Sequence, residues 1–264
     1  MAAKTPQSKQ KRKSRAHPGT PALGELRLLD KIAVVTGGSR GIGSVIARTL
    51  AAEGCSVVIT GRNESTLSKS AAQINQLHGP GTIVPLVCDV RDEKSVCALF
   101  AEVKRRFGKI DVLVNNAGII PQPVTVEETK LKMWRDVLDT NLTGPFLCTR
   151  AALPMMQEGA TIINNLSAAA KRVFPNSATY SAAKSGAFGF TLSLREELIP
   201  RGIRVVALMP GATATDMWNQ IMPDAPRARM VTVEAVAQAV LYAVLLPPNA
   251  NLSELLLEPT SGAL

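Results

Sequence analysis

The chain has 264 residues, is 46% hydrophobic and carries a formal net charge of +9, a composition that can bury the core of one α/β domain. No apolar run approaches the roughly 18–20 residues that cross a bilayer, and no secretory signal is visible, so we expect a cytoplasmic protein without membrane contact. The few histidines and cysteines lack metal-ligand spacing, which argues against a metal site and predicts free thiols: His17, His78, Cys55, Cys88, Cys97 and Cys148.

The first 24 residues concentrate positive charge. They contain six of the 30 basic residues and no acid, which leaves 24 basic against 21 acidic residues elsewhere. Residues 1–24 lack helical apolar periodicity, so we predict a disordered basic tail before one catalytic domain over residues 25–264. We favour an inert solubilising extension over a polyanion-binding arm, a nuclear address or a transit peptide, and expect any nucleic-acid contact to involve the tail alone.

Short apolar runs then alternate with helical stretches. The predicted strands are Ile32–Thr36, Ser56–Thr60, Ile83–Val87, Val112–Asn115, Thr161–Asn165, Arg204–Met209 and Glu254–Glu258. The predicted helices are Ser44–Glu53, Ser65–Leu77, Glu93–Phe107, Lys130–Gln157, Ala178–Ile199 and Val233–Leu246. Strands that are apolar throughout are typical of a parallel sheet covered on both faces. We therefore predict a single doubly wound Rossmann-type α/β domain of about seven parallel strands, with its ligand at their carboxyl ends.

A glycine-rich turn joins the first strand to the first helix. Gly37, Gly41 and Gly43 lie in Thr-Gly-Gly-Ser-Arg-Gly-Ile-Gly, where glycine permits a tight turn and close approach to a pyrophosphate. The helix N-terminus that follows offers unpaired N–H groups to the phosphates. In this strand–turn–helix context the pattern predicts dinucleotide binding rather than a mere turn.

The end of the second strand distinguishes the two nicotinamide cofactors. NAD enzymes of this architecture place an acid there for the ribose 2′-hydroxyl, but this chain has no acid until Glu64. Arg62 at that position and Arg40 in the glycine turn could clamp a 2′-phosphate, although both could simply be solvated. We therefore favour NADP(H) over NAD(H).

Tyr180 and Lys184 form a third pattern. Four residues apart on a predicted helix, they project from one face. A nearby ammonium favours the phenolate, so we expect the pKa of Tyr180 to fall from its usual value near 10 and the phenol to exchange a proton during a reaction. A half-buried tyrosine beside a solvated lysine is the alternative.

Further motifs follow in order: Asp89 in Cys-Asp-Val, Asn115-Asn116-Ala117-Gly118, Asn141 in Asn-Leu-Thr-Gly, Ser167, and Pro210-Gly211 to Thr215. From about Lys31 to Met217 the chain resembles the classical short-chain dehydrogenases/reductases, and within them the 3-oxoacyl-carrier-protein reductase type. The resemblance implies hydride transfer between a nicotinamide and a ketone or secondary alcohol.

The resemblance also implies catalytic roles for four residues. Tyr180 would protonate the nascent alkoxide, and Ser167 would hydrogen-bond the carbonyl oxygen. Lys184 would bind the nicotinamide ribose and lower the tyrosine's pKa, and Asn141 would hold a water that links Lys184 to solvent.

On the cofactor side the resemblance places Asp89 at the adenine, Asn115 near the adenosine ribose, and Thr213 and Thr215 near the carboxamide. The full set of expected cofactor contacts is Gly37, Ser39, Arg40, Gly41, Ile42, Gly43, Arg62, Asp89, Val90, Asn115, Ala117, Gly118, Tyr180, Lys184, Pro210, Gly211, Thr213 and Thr215. Asp89 and Asn115 could instead cap strand–loop junctions, and Ser167 could be a turn serine.

The chain departs from the family pattern at three places. Before Ser167 it has Asn165-Leu166 where the family has an apolar and then a small residue, so Asn165 needs a hydrogen-bond partner. Ala170 replaces a common glycine, and the chain ends in Leu-Leu-Leu-Glu-Pro, residues 255–259, rather than a Val-Asp-Gly-Gly-like strand.

The substrate is expected to be a fairly apolar small molecule. Residues 216–223 carry a Met/Trp/Ile cluster that could form a lid over it, or could pack on the protein body. The family generally forms homodimers or homotetramers through helices that correspond to Trp134–Met156 and Ala178–Leu198. A rival hypothesis is a non-catalytic NADP-sensing or polyanion-binding protein that uses the tail, and a third is hydride chemistry on imines or enones.

Overall fold

The computed structural model describes residues 27–76 and 80–262, except for the side chain of Gln220. The predicted tail over residues 1–24 and both histidines lie outside the described residues. Within the described part of the chain, no helix is long and apolar enough to cross a membrane.

Seven parallel strands form one sheet in the order β3-β2-β1-β4-β5-β6-β7. They are β1 (Ile32–Val35), β2 (Ser56–Gly61), β3 (Ile83–Val87), β4 (Val112–Asn115), β5 (Thr161–Asn165), β6 (Arg204–Pro210) and β7 (Glu254–Leu257). The strand order reverses between β1 and β4, which is the switch point where such sheets bind ligands. The predicted doubly wound Rossmann-type fold is confirmed.

Helices cover both faces of the sheet. They are α1 (Gly41–Ala52), α2 (Glu64–Gln76), α3 (Glu93–Phe107), α4 (Leu131–Leu138), α5 (Gly144–Ala152), α6 (Ala178–Leu198), α7 (Trp218–Ile221) and α8 (Val233–Leu245). One apolar core lies between the sheet and α1, α2 and α8, and a second lies between the sheet and α3, α5 and α6. This double burial explains why successive residues of the central strands, such as Ile32–Val35 of β1, are apolar rather than alternating with polar ones.

The single helix predicted over residues 130–157 is wrong. A five-residue π-helical turn, Asp139–Thr143, separates α4 from α5. Pro145, which has no N–H, stands near the start of α5 and cannot donate to the carbonyl of Asn141. The α-helical hydrogen-bond ladder is therefore interrupted at the residue that the family resemblance marks as catalytic.

Candidate active site

A cavity of about 570 Å³ opens at the carboxyl ends of the central strands, a size typical of ligand sites. With one exception, the predicted site residues line it: Gly37, Ser39, Arg40, Gly41, Ile42, Gly43, Arg62, Asp89, Val90, Ala117, Gly118, Asn141, Ser167, Tyr180, Lys184, Pro210, Gly211, Thr213 and Thr215. Residues scattered over most of the chain therefore meet in one place.

The glycine-rich turn is packed too closely for larger residues. Gly37 and Gly41 have φ angles of +65° and +56°, which favour glycine. A Cβ atom at Gly37 would lie 2.9 Å from the Cα of Ala117, and one at Gly43 would collide with the Gly37 carbonyl oxygen. The first turn of α1 contains no acid, and Arg40 at its N-cap makes no side-chain capping bond. Its N–H groups thus suit the phosphates of a dinucleotide.

Arginines surround the far end of this turn. Arg40 and Arg62 are exposed at the cavity, and neither forms an ion pair with a carboxylate within the described residues. Arg91, which sequence reasoning missed, also lines the cavity, but it is bound to Asp89 by Nη2–Oδ2 at 2.6 Å and lies 3.5 Å from Asp136. Arg91 holds the pKa of Asp89 below its ordinary value, through its hydrogen bonds. Arg40 and Arg62 are therefore the free cations here.

Asn115 is the exception among the predicted site residues. It is 3% exposed and lies outside the cavity lining. Its Nδ2 donates to Thr149 Oγ1 at 3.0 Å and to Asn164 Oδ1 at 2.8 Å, in the core beneath the sheet. Alternation along β4 turns this side chain away from the cleft, so the structure does not bring it to the other predicted cofactor residues, and the expected cofactor contact of Asn115 stays a prediction.

Its neighbour Asn116, which was not assigned a role, faces the cleft instead. Asn116 Nδ2 donates to the carbonyl oxygens of Thr36 at 2.9 Å and Gly37 at 3.2 Å. The Thr36 hydroxyl in turn accepts the backbone N–H groups of Asn116 and Ala117, each at 2.9 Å. These bonds attach the loop after β4 to the glycine-rich turn.

Tyr180 and Lys184 lie one turn apart near the start of α6, and Ser167 follows β5. Lys184 is buried, its Nζ donates to the main-chain oxygen of Asn165 at 3.0 Å, and it lies 5.7 Å from the centroid of the Tyr180 ring. Ser167 lies near enough to Tyr180 to act on the pKa of its phenol, and Ser167 Oγ accepts the Ala169 N–H at 3.1 Å. A phenol, a hydroxyl and an ammonium therefore share one wall of the cavity.

The expected fall in the pKa of Tyr180 is wrong for this structure. Burial raises the pKa of Tyr180 to about 12, and the Ser167 hydrogen bond opposes this only in part. Lys184 does not offset the burial, because its hydrogen bond goes to Asn165 and its charge lies over the ring. Burial also lowers the pKa of Lys184 to about 8. Both groups are shifted towards their neutral forms.

Asn141 lies in the π-helical turn beside these groups. Its Nδ2 donates to the oxygens of Ile119 at 2.8 Å and Val137 at 3.0 Å, and its Oδ1 accepts the Ile119 N–H at 3.2 Å. A Cβ atom at Gly118 would lie 2.8 Å from Asn141 Oδ1 and 3.8 Å from Lys184 Nζ. The Asn141 amide thus fixes the backbone next to Lys184, and both of its hydrogens are already donated.

The opposite end of the cavity is apolar. Its wall comes from three loops and contains Ile119, Ile120, Pro121, Pro123, Leu166, Phe174, Pro175, Met217, Trp218, Ile221 and Met222. In the predicted lid, Met217 and Met222 line the cavity and are 42% and 50% exposed, whereas Trp218 is fixed by Nε1 donating to the Thr213 oxygen at 2.9 Å. The lid itself stays a prediction. The loops around Pro121 and Phe174 were missed, because no periodic pattern marks them.

Comparison with known proteins agrees with this geometry. The family model described as short chain dehydrogenase matches residues 31–226. The chain belongs to the short-chain dehydrogenase family. A 3beta-hydroxysteroid dehydrogenase of Mediterraneibacter gnavus is 38% identical over 210 residues, which cover 79% of this chain and 75% of that protein. A 3-oxoacyl-[acyl-carrier-protein] reductase of Synechocystis is 39% identical over 222 residues, 81% of this chain and 89% of that protein.

Solved structures of the family have the same fold. A short chain dehydrogenase from Burkholderia cenocepacia in complex with NADP has a TM-score of 0.80 and 33% identity, covering 88% of this chain and 98% of that one. A dehydrogenase/reductase from Sinorhizobium meliloti has a TM-score of 0.81 and 32% identity, covering 88% and 95%.

Proposed function

We propose that this protein is an NADP(H)-dependent oxidoreductase that interconverts a fairly apolar ketone and the matching secondary alcohol. The observation that carries the proposal is that Ser167, Tyr180 and Lys184 line one cavity together with a glycine-rich turn and an apolar pocket. A phosphate-binding turn and a proton donor that face one cavity are what carbonyl reduction requires.

NADP(H) is favoured over NAD(H) on charge. Arg40 and Arg62 are free to bind a 2′-phosphate, and β2 ends without an acid that would bind a ribose hydroxyl. The glycine-rich turn and the uncapped N-terminus of α1 would hold the pyrophosphate. The NADP complex of the Burkholderia cenocepacia relative supports the same assignment. The cofactor, when bound, supplies or accepts the hydride.

The chain's own residues would bind the substrate oxygen and supply its proton. Ser167 would donate a hydrogen bond to the carbonyl oxygen and so stabilise the charge that develops on it. The hydroxyl of Tyr180, whose raised pKa keeps it protonated at neutral pH, would give that oxygen a proton, which suits the reductive direction.

Lys184 would bind the nicotinamide ribose and help return the proton to Tyr180. Asn141 would support this relay by fixing the backbone at Gly118 and Ile119. Both hydrogens of its side-chain amide are already donated, so a water in the relay would have to donate to an oxygen of Asn141.

The substrate proposal rests on the apolar pocket. Ile119, Phe174, Met217 and Trp218 would cover hydrocarbon next to the carbonyl. The names of the two relatives, a 3beta-hydroxysteroid dehydrogenase and a 3-oxoacyl-[acyl-carrier-protein] reductase, support a steroid-like ketone or a 3-oxoacyl thioester. The cytoplasmic location and the homodimer or homotetramer stay predictions.

A substrate panel tests the proposal. Purified protein is incubated with NADPH or NADH and with ring ketones, 3-oxoacyl thioesters and small polar ketones, and loss of reduced-nicotinamide absorbance is followed. We expect turnover with NADPH and a higher kcat/KM for the larger apolar ketones. NADPH binding without turnover of any substrate would instead support the non-catalytic sensing hypothesis.

A further inference from the structure

Asn165, at the end of β5, is an asparagine where the family pattern has an apolar residue. We propose that Asn165 is a positioning residue that couples the glycine-rich turn to Lys184, so that cofactor binding and the catalytic centre share one hydrogen-bonded link. This inference rests on the proposed function, because the link matters only if the turn binds NADP(H) and Lys184 serves the reaction.

The first contact of Asn165 leads to the glycine-rich turn. Asn116 Nδ2 donates to the carbonyl oxygens of Thr36 and Gly37, which can only accept, so the orientation of the Asn116 amide is fixed. Asn116 Oδ1 must then face Asn165, whose Nδ2 donates to it at 2.8 Å. The bond therefore runs in one direction and needs a donor at residue 165.

The second contact leads to the catalytic centre. The main-chain oxygen of Asn165 accepts from Lys184 Nζ at 3.0 Å, the one hydrogen bond of this ammonium within the described part of the chain. Lys184 is 5% exposed, so losing this acceptor would leave a buried cation without a partner. Movement of residue 165 would therefore move Lys184.

The remaining polar atom of the side chain shows why the donated bond matters. Asn165 Oδ1 is buried and has no hydrogen-bond partner within the described residues. A buried unpaired acceptor is unfavourable, and an apolar residue would avoid it. The contribution of asparagine at this position is therefore its Nδ2 donor to Asn116.

Asn164 provides a matched control on the same strand. Because side chains alternate along β5, Asn164 faces the core, where its Oδ1 accepts from Asn115 at 2.8 Å and its Nδ2 donates to Thr191 at 2.9 Å. Like Asn165 it is hydrogen-bonded through its side chain, although it is fully buried and Asn165 only partly, and it makes no side-chain hydrogen bond to the glycine-rich turn or Lys184 within the described residues. Replacing Asn164 therefore measures how much NADPH affinity and amide exchange change when β5 alone is disturbed.

The experiment compares Asn165→Leu and Asn165→Asp with Asn164→Leu. NADPH dissociation constants are measured by equilibrium fluorescence, and amide exchange of residues 36–43 is measured in the cofactor-free protein. We expect both Asn165 variants to weaken NADPH about tenfold, to lower kcat about tenfold and to speed exchange in the turn. The near-isosteric Asp preserves packing but cannot donate when ionised, so it keeps the test valid if Leu disturbs folding.

Asn164→Leu should lower thermal stability, yet change NADPH affinity and turn exchange less than about twofold at a temperature where it is folded. A double-mutant cycle isolates the link: in an Asn116→Ala background, Asn165→Leu should weaken NADPH less than about twofold further. The inference would be overturned if Asn164→Leu weakened NADPH binding as much as Asn165→Leu does. It would also be overturned if Asn165→Leu weakened NADPH tenfold in both the wild-type and the Asn116→Ala background. If the wild type is active and the Asn165 variants bind NADPH and turn over substrate as it does, only the inference about Asn165 fails. If the wild type does not bind NADPH, the proposed function fails as well.

Discussion

The two ends of the cavity are built in different ways. The cofactor end consists of short local segments at strand termini, chiefly the glycine-rich turn and the loop after β4. Hydrogen bonds between side chains and backbone, from Asn116 Nδ2 to the Thr36 oxygen and from the Ala117 N–H to the Thr36 hydroxyl, hold it together. The substrate end is assembled from loops far apart in sequence, and a backbone bond from the Val124 N–H to the Asn176 oxygen, 2.9 Å, joins two of them. Tyr180, Ser167 and Lys184 stand between the two ends.

This contrast shows why the cofactor is easier to infer than the substrate. Phosphates are bound by backbone geometry that a few glycines dictate, so the chemistry can be inferred from a short motif. An apolar pocket depends on which loops pack against each other, and many sequences satisfy that requirement. Substitutions at each end, and at the junction, should therefore have separable effects.

The largest effect should come from the junction. Tyr180→Phe removes the proton donor and should reduce turnover of every substrate about a thousandfold or more, while NADPH affinity stays within about threefold. The chain's other tyrosine, Tyr242, is 62% exposed, so Tyr242→Phe is a matched control that should keep full activity. Retained turnover in Tyr180→Phe would remove this residue from the mechanism.

Burial of Lys184 should make the free energy of unfolding depend on pH. Because burial lowers its pKa to about 8, from 10.5, the unfolded chain binds more protons between those pH values, and folding stability rises with pH across this window. At pH 7 the buried ammonium then costs about 3 kcal/mol. Lys184→Met should accordingly be more stable than wild type in urea unfolding at pH 7, by up to this amount.

The stability gap between Lys184→Met and wild type should narrow as the pH rises from 8 towards 10.5. Lys69→Met, which replaces an exposed lysine of α2, is the control for loss of a lysine side chain as such. A difference in unfolding free energy that stayed constant with pH would mean that burial does not destabilise the charged form of Lys184.

Removing the two free arginines should affect the cofactor end alone. Arg40→Ala with Arg62→Ala should weaken NADPH about thirtyfold and NADH by less than about threefold, since only NADPH carries the 2′-phosphate. Dissociation constants for both cofactors provide the measurement, and Arg105→Ala, at an exposed ion pair on α3, is the control. Equal losses of affinity for NADPH and NADH would show that Arg40 and Arg62 do not bind the 2′-phosphate.

The smallest effect should come from the substrate end. Met217→Ser with Met222→Ser removes half-exposed apolar surface and should raise KM for large apolar ketones about threefold to tenfold, with NADPH affinity unchanged. Val126→Ser, at a 74% exposed residue outside the cavity lining, should leave KM unchanged. If KM of small polar ketones rose equally, the two methionines would shape the protein body rather than the pocket.

Most of the scaffold could be predicted from the sequence. The strands Val112–Asn115 and Thr161–Asn165 and the helix Glu93–Phe107 match prediction at both ends, because buried apolar runs and a capping aspartate at residue 92 mark their limits. The glycine-rich turn and the Tyr180–Lys184 spacing likewise identify their neighbourhood, since both depend on local geometry alone.

Only the tertiary structure decided which polar residues serve the site. Asn115 and Asn116 are the same residue type in succession, and the orientation of β4 sends one into the core and the other to the glycine-rich turn. The pKa of Tyr180 rises rather than falls because burial around the ring outweighs a lysine whose hydrogen bond goes elsewhere. Sequence spacing determines which side chains can be neighbours, whereas desolvation and hydrogen-bond direction depend on all the elements that pack around them.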